Sequence, residues 1–106
     1  VKRGDIIWSD LGHPAGKSPV CVVTRNAAIE VLNAVACAPI TREVRGIASE
    51  VVVGDEEGFS ATSAISCDNI VTIPKNLLQA DPVGSLGFAK RRELDRALRF
   101  ALDIQF

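Results

Sequence analysis

Lys2-Arg3-Gly4-Asp5-Ile6-Ile7-Trp8-Ser9-Asp10-Leu11 opens the chain, and its alternation decides the fold. From Asp5 to Leu11, Ile6 and Trp8 fall on one side of an extended segment and Ile7 and Leu11 on the other, a period of two that predicts a strand. The next residues, Gly12-His13-Pro14-Ala15-Gly16-Lys17-Ser18, carry two glycines and a proline and predict a loop. Pro19 then introduces Val20 to Thr24, an apolar run suited to a strand covered on both faces. A junction from Arg25 to Asn33 leads to a second such run, Ala34 to Ile40, closed by Thr41.

Beyond the charged segment Arg42 to Gly46, the residues Glu50 to Val53 predict a short strand. An acidic turn from Gly54 to Gly58 follows it. Ser63 to Ser66 and Asn69 to Ile73 read as two more short strands, the last ended by Pro74. The tail changes period. From Ala89, the apolar residues Leu94, Leu98, Ala101 and Leu102 recur at helical spacing among Lys90, Arg91, Arg92, Arg96 and Arg99. These cations are expected on the solvated face of a docked helix. Short strands followed by one terminal helix predict a mainly β fold, a small antiparallel SH3-like barrel or strongly bent sheet capped by a C-terminal α-helix. The length, 106 residues, fits one domain over residues 1–106.

Aromatics make up only 5% of the chain, so the core must be aliphatic. Twelve Lys and Arg against thirteen Asp and Glu leave a formal charge of −1, so a polyanion has to be held by a local patch rather than by the overall field. Cys21, Cys37 and Cys67 are odd in number, lack metal-like spacing and lie in or beside apolar runs, which predicts reduced core thiols. With neither a spanning apolar stretch nor a signal-peptide core at the N-terminus, a cytoplasmic protein without membrane contact is expected.

Lys2 to Leu11 resembles the opening strand of MazF/PemK toxins. Pro19-Val20-Cys21-Val22-Val23 with Asn26 is similar to that family's second strand, and Ala38-Pro39-Ile40-Thr41 to its third strand ending in Thr. Asp68-Asn69-Ile70-Val71-Thr72-Ile73 resembles its acidic-amide-Ile-x-Thr-Ile segment. The resemblance implies the fold shared by MazF, Kid and CcdB toxins, a homodimer, and a cognate MazE-like antitoxin whose acidic, disordered tail competes with RNA. It also implies sequence-selective cleavage of single-stranded RNA, with no metal and no cofactor, to a 2′,3′-cyclic phosphate and a 5′-hydroxyl.

By the same resemblance Thr41 and a basic residue just before the strand-two proline are the catalytic parts. Ser18 stands where the family has that Arg, and the nearest cation is Lys17. Lys17 and Thr41 are therefore the candidate catalytic residues, joined by His13, the only histidine, which titrates near neutrality and suits proton transfer. Ser18, Arg42, Arg45, Asp68 and Asn69 are candidates for substrate binding, the arginines on phosphates and the Asp-Asn pair on base edges. Trp8 reads as core or dimer interface rather than as a stacking platform. Two alternatives share the fold: a CcdB-like gyrase poison, disfavoured by an Ile104-Gln105-Phe106 terminus without Trp, and a non-catalytic binding module.

Overall fold

The computed structural model describes residues 1–10 and 16–105. β1 (Asp5–Asp10) and β2 (Lys17–Val22) form an antiparallel pair in which Ile6 faces Cys21, Trp8 faces Pro19 and Asp10 faces Lys17. A single helical turn, α1 (Asn26–Ile29), leads to the long central strand β3 (Ala34–Thr41). β4 (Glu50–Val53) and β5 (Ser63–Ser66) pair with each other, and β6 (Val71–Pro74) returns to β3. β7 (Gly84–Ser85) adds to the outer edge of β1, and α2 (Phe88–Ala101) closes the chain. The strands run β4-β5-β3-β2-β1-β7, with β6 also on β3, in one curled seven-stranded antiparallel sheet. The mainly β fold with a C-terminal helix is thus the one expected.

Alternation along the strands sorts side chains to two cores. Ile6, Cys21, Ala38, Val51 and Ile65 pack with Leu94 and Ala97 of α2. On the reverse face Ile7, Val20, Val22, Val35, Cys37 and Ile73 pack with Ile29 of α1. Both central strands are thus covered on both sides, which is why their sequences are apolar without a break. Leu94 is fully buried, so the strip Leu94, Ala97, Leu98 and Ala101 is what holds the helix to the sheet. Residues 78–86 bond along the open edge of β1, through Gln79 N–H to the Trp8 carbonyl at 2.9 Å and Val83 N–H to the Ile6 carbonyl at 2.7 Å. That edge is thereby covered.

Three local expectations need correction. Lys17 and Ser18 belong to β2 rather than to a loop, because Ser9 and Asp10 pair with them and the Ser9 hydroxyl donates to the Ser18 carbonyl at 2.9 Å. The Arg25 to Asn33 junction holds α1, and β7 is too short to leave a sequence pattern. β6 starts at Val71, because Cys67–Asn69 form a 3-10 turn ahead of it.

The β2–β3 ladder decides where the sheet opens. It runs from Val22 opposite Cys37 to Val20 opposite Pro39 and stops there. Pro19 stands where β2 would make its next donation to β3, and having no N–H it ends the ladder there. The terminal residues Lys17 and Pro19 of β2 and Ile40 and Thr41 of β3 instead border a hollow.

Candidate ribonuclease groove

That hollow has a volume of about 430 Å³. Lys17 and Arg42 supply its cations, and Trp8 and Phe59 supply aromatic surface. Phe59 is brought there by the 3-10 turn Asp55–Glu57. The Glu57 carboxylate accepts the Gly54 N–H at 2.8 Å, and Gly58 leaves the turn in a left-handed conformation at φ 96°. A side chain at Gly58 would be strained there and would press on Val83.

A second, smaller hollow of about 200 Å³ is lined by Pro39, Glu43, Arg45, Glu50, Ser66 and Asn69. Thr41 belongs to both hollows. Its hydroxyl oxygen accepts the Glu43 N–H at 3.1 Å, which fixes the side chain at the start of the 42–49 loop and leaves the hydroxyl proton to be donated elsewhere. The Glu50 carboxylate holds the far side of that loop by accepting the Arg45 and Gly46 N–H groups at 2.9 and 3.1 Å. Asn69 is oriented by donating from Nδ2 to the Ser66 hydroxyl at 2.9 Å.

The candidates from the sequence divide accordingly. Lys17, Thr41, Arg42, Arg45 and Asn69 line the two joined hollows. Asp68 lines neither. Its carboxylate accepts the hydroxyl of buried Ser49 at 2.5 Å, which ties the 3-10 turn to the base of the 42–49 loop. Ser18 also lines neither hollow, because strand alternation turns it away from the side shared by Lys17 and Pro19. His13 lies outside the described residues. Sequence reasoning set Trp8 aside and missed Phe59, Glu43 and Glu50. Trp8 is 36% exposed and walls the groove opposite Pro19, so its alternation signalled a strand but not which part of that face would be open.

The three cysteines are unbridged and buried. Burial pushes the Cys21 thiol up to about 12, helped by its two neighbouring thiols, and the Cys37 and Cys67 thiols up to about 11. None of them lines the groove. No helix among the described residues is long and apolar enough to cross a membrane.

Known proteins resemble this chain over nearly its whole length. The probable endoribonuclease MazF5 of Mycobacterium tuberculosis is 32% identical over 102 residues, 95% of this chain and 92% of its own. The solved Mycobacterium tuberculosis toxin MazF-mt6 superposes with a TM-score of 0.87 at 34% identity, covering 96% of this chain and 99% of that one. An endoribonuclease from a mycobacterial species, solved in complex with its cognate antitoxin, superposes with a TM-score of 0.86 at 27% identity. It covers 100% of this chain and 98% of that one. The family model for the PemK-like, MazF-like toxin of type II toxin-antitoxin systems matches residues 2–102. With its curled sheet, capping helix and hollows meeting at Thr41, the chain belongs to the PemK-like, MazF-like toxin family.

Proposed function

We propose that the chain is the toxin of a type II toxin-antitoxin pair and cleaves single-stranded RNA in the groove around Thr41 without a metal. The reading rests on one observation above the rest, that Thr41 is the shared wall of a hollow with Lys17 and aromatic rings and a hollow with Arg45 and Asn69. In the reaction the 2′-oxygen attacks the adjacent phosphorus as its proton passes to a base. The bond from phosphorus to the 5′-oxygen breaks, and that oxygen takes up a proton. The products are a 2′,3′-cyclic phosphate and a 5′-hydroxyl.

The Thr41 hydroxyl donates to a non-bridging oxygen, where a correctly placed donor stabilises charge that develops only in the transition state. Lys17 approaches the same phosphate from the aromatic side and Arg45 from the other. Glu43, whose backbone is bonded to Thr41, and His13 are the candidate proton carriers. Arg42 holds the backbone, Trp8 and Phe59 stack unpaired bases, and Asn69 reads a base edge.

The chain acts in the cytoplasm as a two-fold dimer and is silenced by an antitoxin whose acidic tail occupies the groove. A relative solved with its cognate antitoxin supports that pairing. Incubating the purified protein with a long single-stranded RNA in EDTA tests the activity. Fragments ending in cyclic phosphate are expected, and Thr41→Ala should lower the rate on the order of 10²-fold to 10³-fold, the usual loss for one such donor. Intact RNA at stoichiometric protein would overturn the proposal.

A further inference from the structure

α2 turns Arg91, Arg92, Arg96 and Arg99 to water as expected, and its Phe88, Arg91 and Arg92 border a hollow of about 390 Å³, completed by Arg3 and Asn26 of the chain's beginning. The hollow's one carboxylate, Asp95, is paired with the Arg3 guanidinium at 2.9 Å. The Arg3 Nε also donates to the Val23 carbonyl at 3.1 Å, and the Arg3 backbone N–H to the Asn26 side-chain oxygen at 2.7 Å. Arg3 is therefore a fixed wall rather than a loose side chain.

A second depression of about 180 Å³ shares Arg92 and Asp95 and continues to Arg96 and Arg99. Arg92, Arg96 and Arg99 stand at i, i+4 and i+7, so they line one side of the helix, about 6 Å and then about 4.5 Å apart along its axis. Among the described lining residues, the two adjoining depressions thus bring together Arg3, Arg91, Arg92 and Arg96, with Arg99 at the far end, and one carboxylate, Asp95, which Arg3 already offsets. The whole chain has only twelve Lys and Arg and a formal charge of −1, so this local excess is the kind of patch a polyanion requires.

We infer that this arginine trough is a second RNA site, which holds the phosphate backbone of substrate reaching beyond the cleavage groove. Phe88 favours RNA over an acidic peptide. It is 70% exposed, and the Arg92 guanidinium lies over its ring at 5.8 Å from the centroid, so a flat stacking surface stands beside the phosphate-binding groups. The inference deepens the reading of RNA as substrate and adds a surface that sets affinity for long RNA without touching the reacting phosphate.

Binding of a long single-stranded RNA by the dimeric protein, in the Thr41→Ala background so that nothing is cut, tests the trough directly. Replacing Arg92, Arg96 and Arg99 together by Ala, all three being exposed, should weaken that binding at least about tenfold. It should also lower the slope of log affinity against log salt by about 2, since each phosphate of a single strand that a cation neutralises adds roughly 0.7 to that slope. With Thr41 restored, kcat/KM on an oligonucleotide just long enough to fill the groove should stay within about twofold. Replacing the same three by Lys should keep most of the salt slope.

Unchanged affinity and slope in the Ala variant would overturn the trough, and so would an equal loss on the short oligonucleotide. A loss of binding to a poly-glutamate peptide with RNA binding intact would overturn it in favour of a protein partner. A wild-type protein that binds RNA through the trough yet never cuts would instead sink the ribonuclease reading and leave the trough standing.

Discussion

Replacing Ser18 with Arg should raise ribonuclease activity. Val20 stands opposite Pro39 across the β2–β3 seam, so carrying that register on by two residues puts position 18 opposite Thr41. Position 18 then approaches Thr41 from the side away from Lys17, while Thr41 itself borders the hollows on both sides. A seryl side chain is too short to reach a phosphate held at Thr41. A guanidinium at this position presents a planar fork to two phosphate oxygens. One hydrogen bond to a charged group contributes about 1.5 to 3 kcal/mol, which corresponds to roughly 10-fold to 150-fold in kcat/KM when it is made only in the transition state.

The cost to folding should be small. Ser18 is half-buried at the start of β2, and the bond it accepts from Ser9 goes to its backbone carbonyl, which the substitution keeps. A change within about 0.5 kcal/mol is expected, as for most surface positions. The assay is kcat/KM on a fluorogenic RNA oligonucleotide in EDTA, for the wild type, Ser18→Arg, Lys17→Ala and the double variant. Lys17→Ala should lower the rate, and the double variant should recover most of it. If Ser18→Arg changes kcat/KM less than twofold while its Tm is preserved, position 18 does not face the scissile phosphate and the reading of the seam is wrong.

Leu94→Ala should destabilise the protein by about 3 to 5 kcal/mol, since Leu94 is fully inside the core beneath α2. A circular-dichroism melt should show a Tm lower by about 15 °C or more, and a loss under 1 kcal/mol would mean that the helix is not the lid of that core. The buried thiols predict a loss of stability in alkali. Their protons are held up to about 12 at Cys21 and about 11 at Cys37 and Cys67, against an ordinary 9.0. With pKa raised in the folded state, the contribution is complete below pH 9 and is lost as pH climbs through 9 to 11 or 12, because there the unfolded chain sheds protons that the folded one keeps. Urea midpoints should be flat from pH 7 to 9 and fall above it, with no tyrosine in the chain to share the effect. A thiol reagent that titrates all three cysteines in native protein at pH 8 would contradict the burial behind this.

Alternation made the strands legible because a side chain's face depends only on its neighbours in sequence. Ile6 and Ile7 do go to opposite cores, and the unbroken runs around Val20 and Val35 do lie in strands covered twice. What the residues did not disclose depends on where chains part or meet. β7 is two residues recruited by the β1 edge, and α1 is one turn without a side-chain cap. Asp68 and Asn69 are neighbours, yet the first bonds Ser49 while the second lines the groove, since a 3-10 turn sends them different ways. Phe59 is useful only because Gly58 turns left-handed before it. The trough along α2 could not be read from its helix alone, because two of the six residues around its larger hollow are Arg3 and Asn26.

The same geometry argues against treating Lys17 as a simple stand-in for an arginine one residue on. A shift of one position along a strand moves a side chain to the opposite face, so no loop flexibility is available to absorb it once residue 17 is paired with Asp10 inside β2. Lys17 therefore serves the hollow that contains Trp8 and Phe59, and the forked cation on the other side of Thr41 has to come from elsewhere. In the proposed reaction Arg45, which lines the second hollow with Thr41, supplies it. Its backbone N–H is clamped by Glu50, while its side chain, 67% exposed, stays 3.8 Å from Glu43 and is loose enough to swing onto a bound phosphate. Glu50 then acts through Arg45 rather than on the substrate. Removing its carboxylate should raise KM and lower kcat together by freeing the loop, whereas losing the Thr41 hydroxyl should fall on kcat alone.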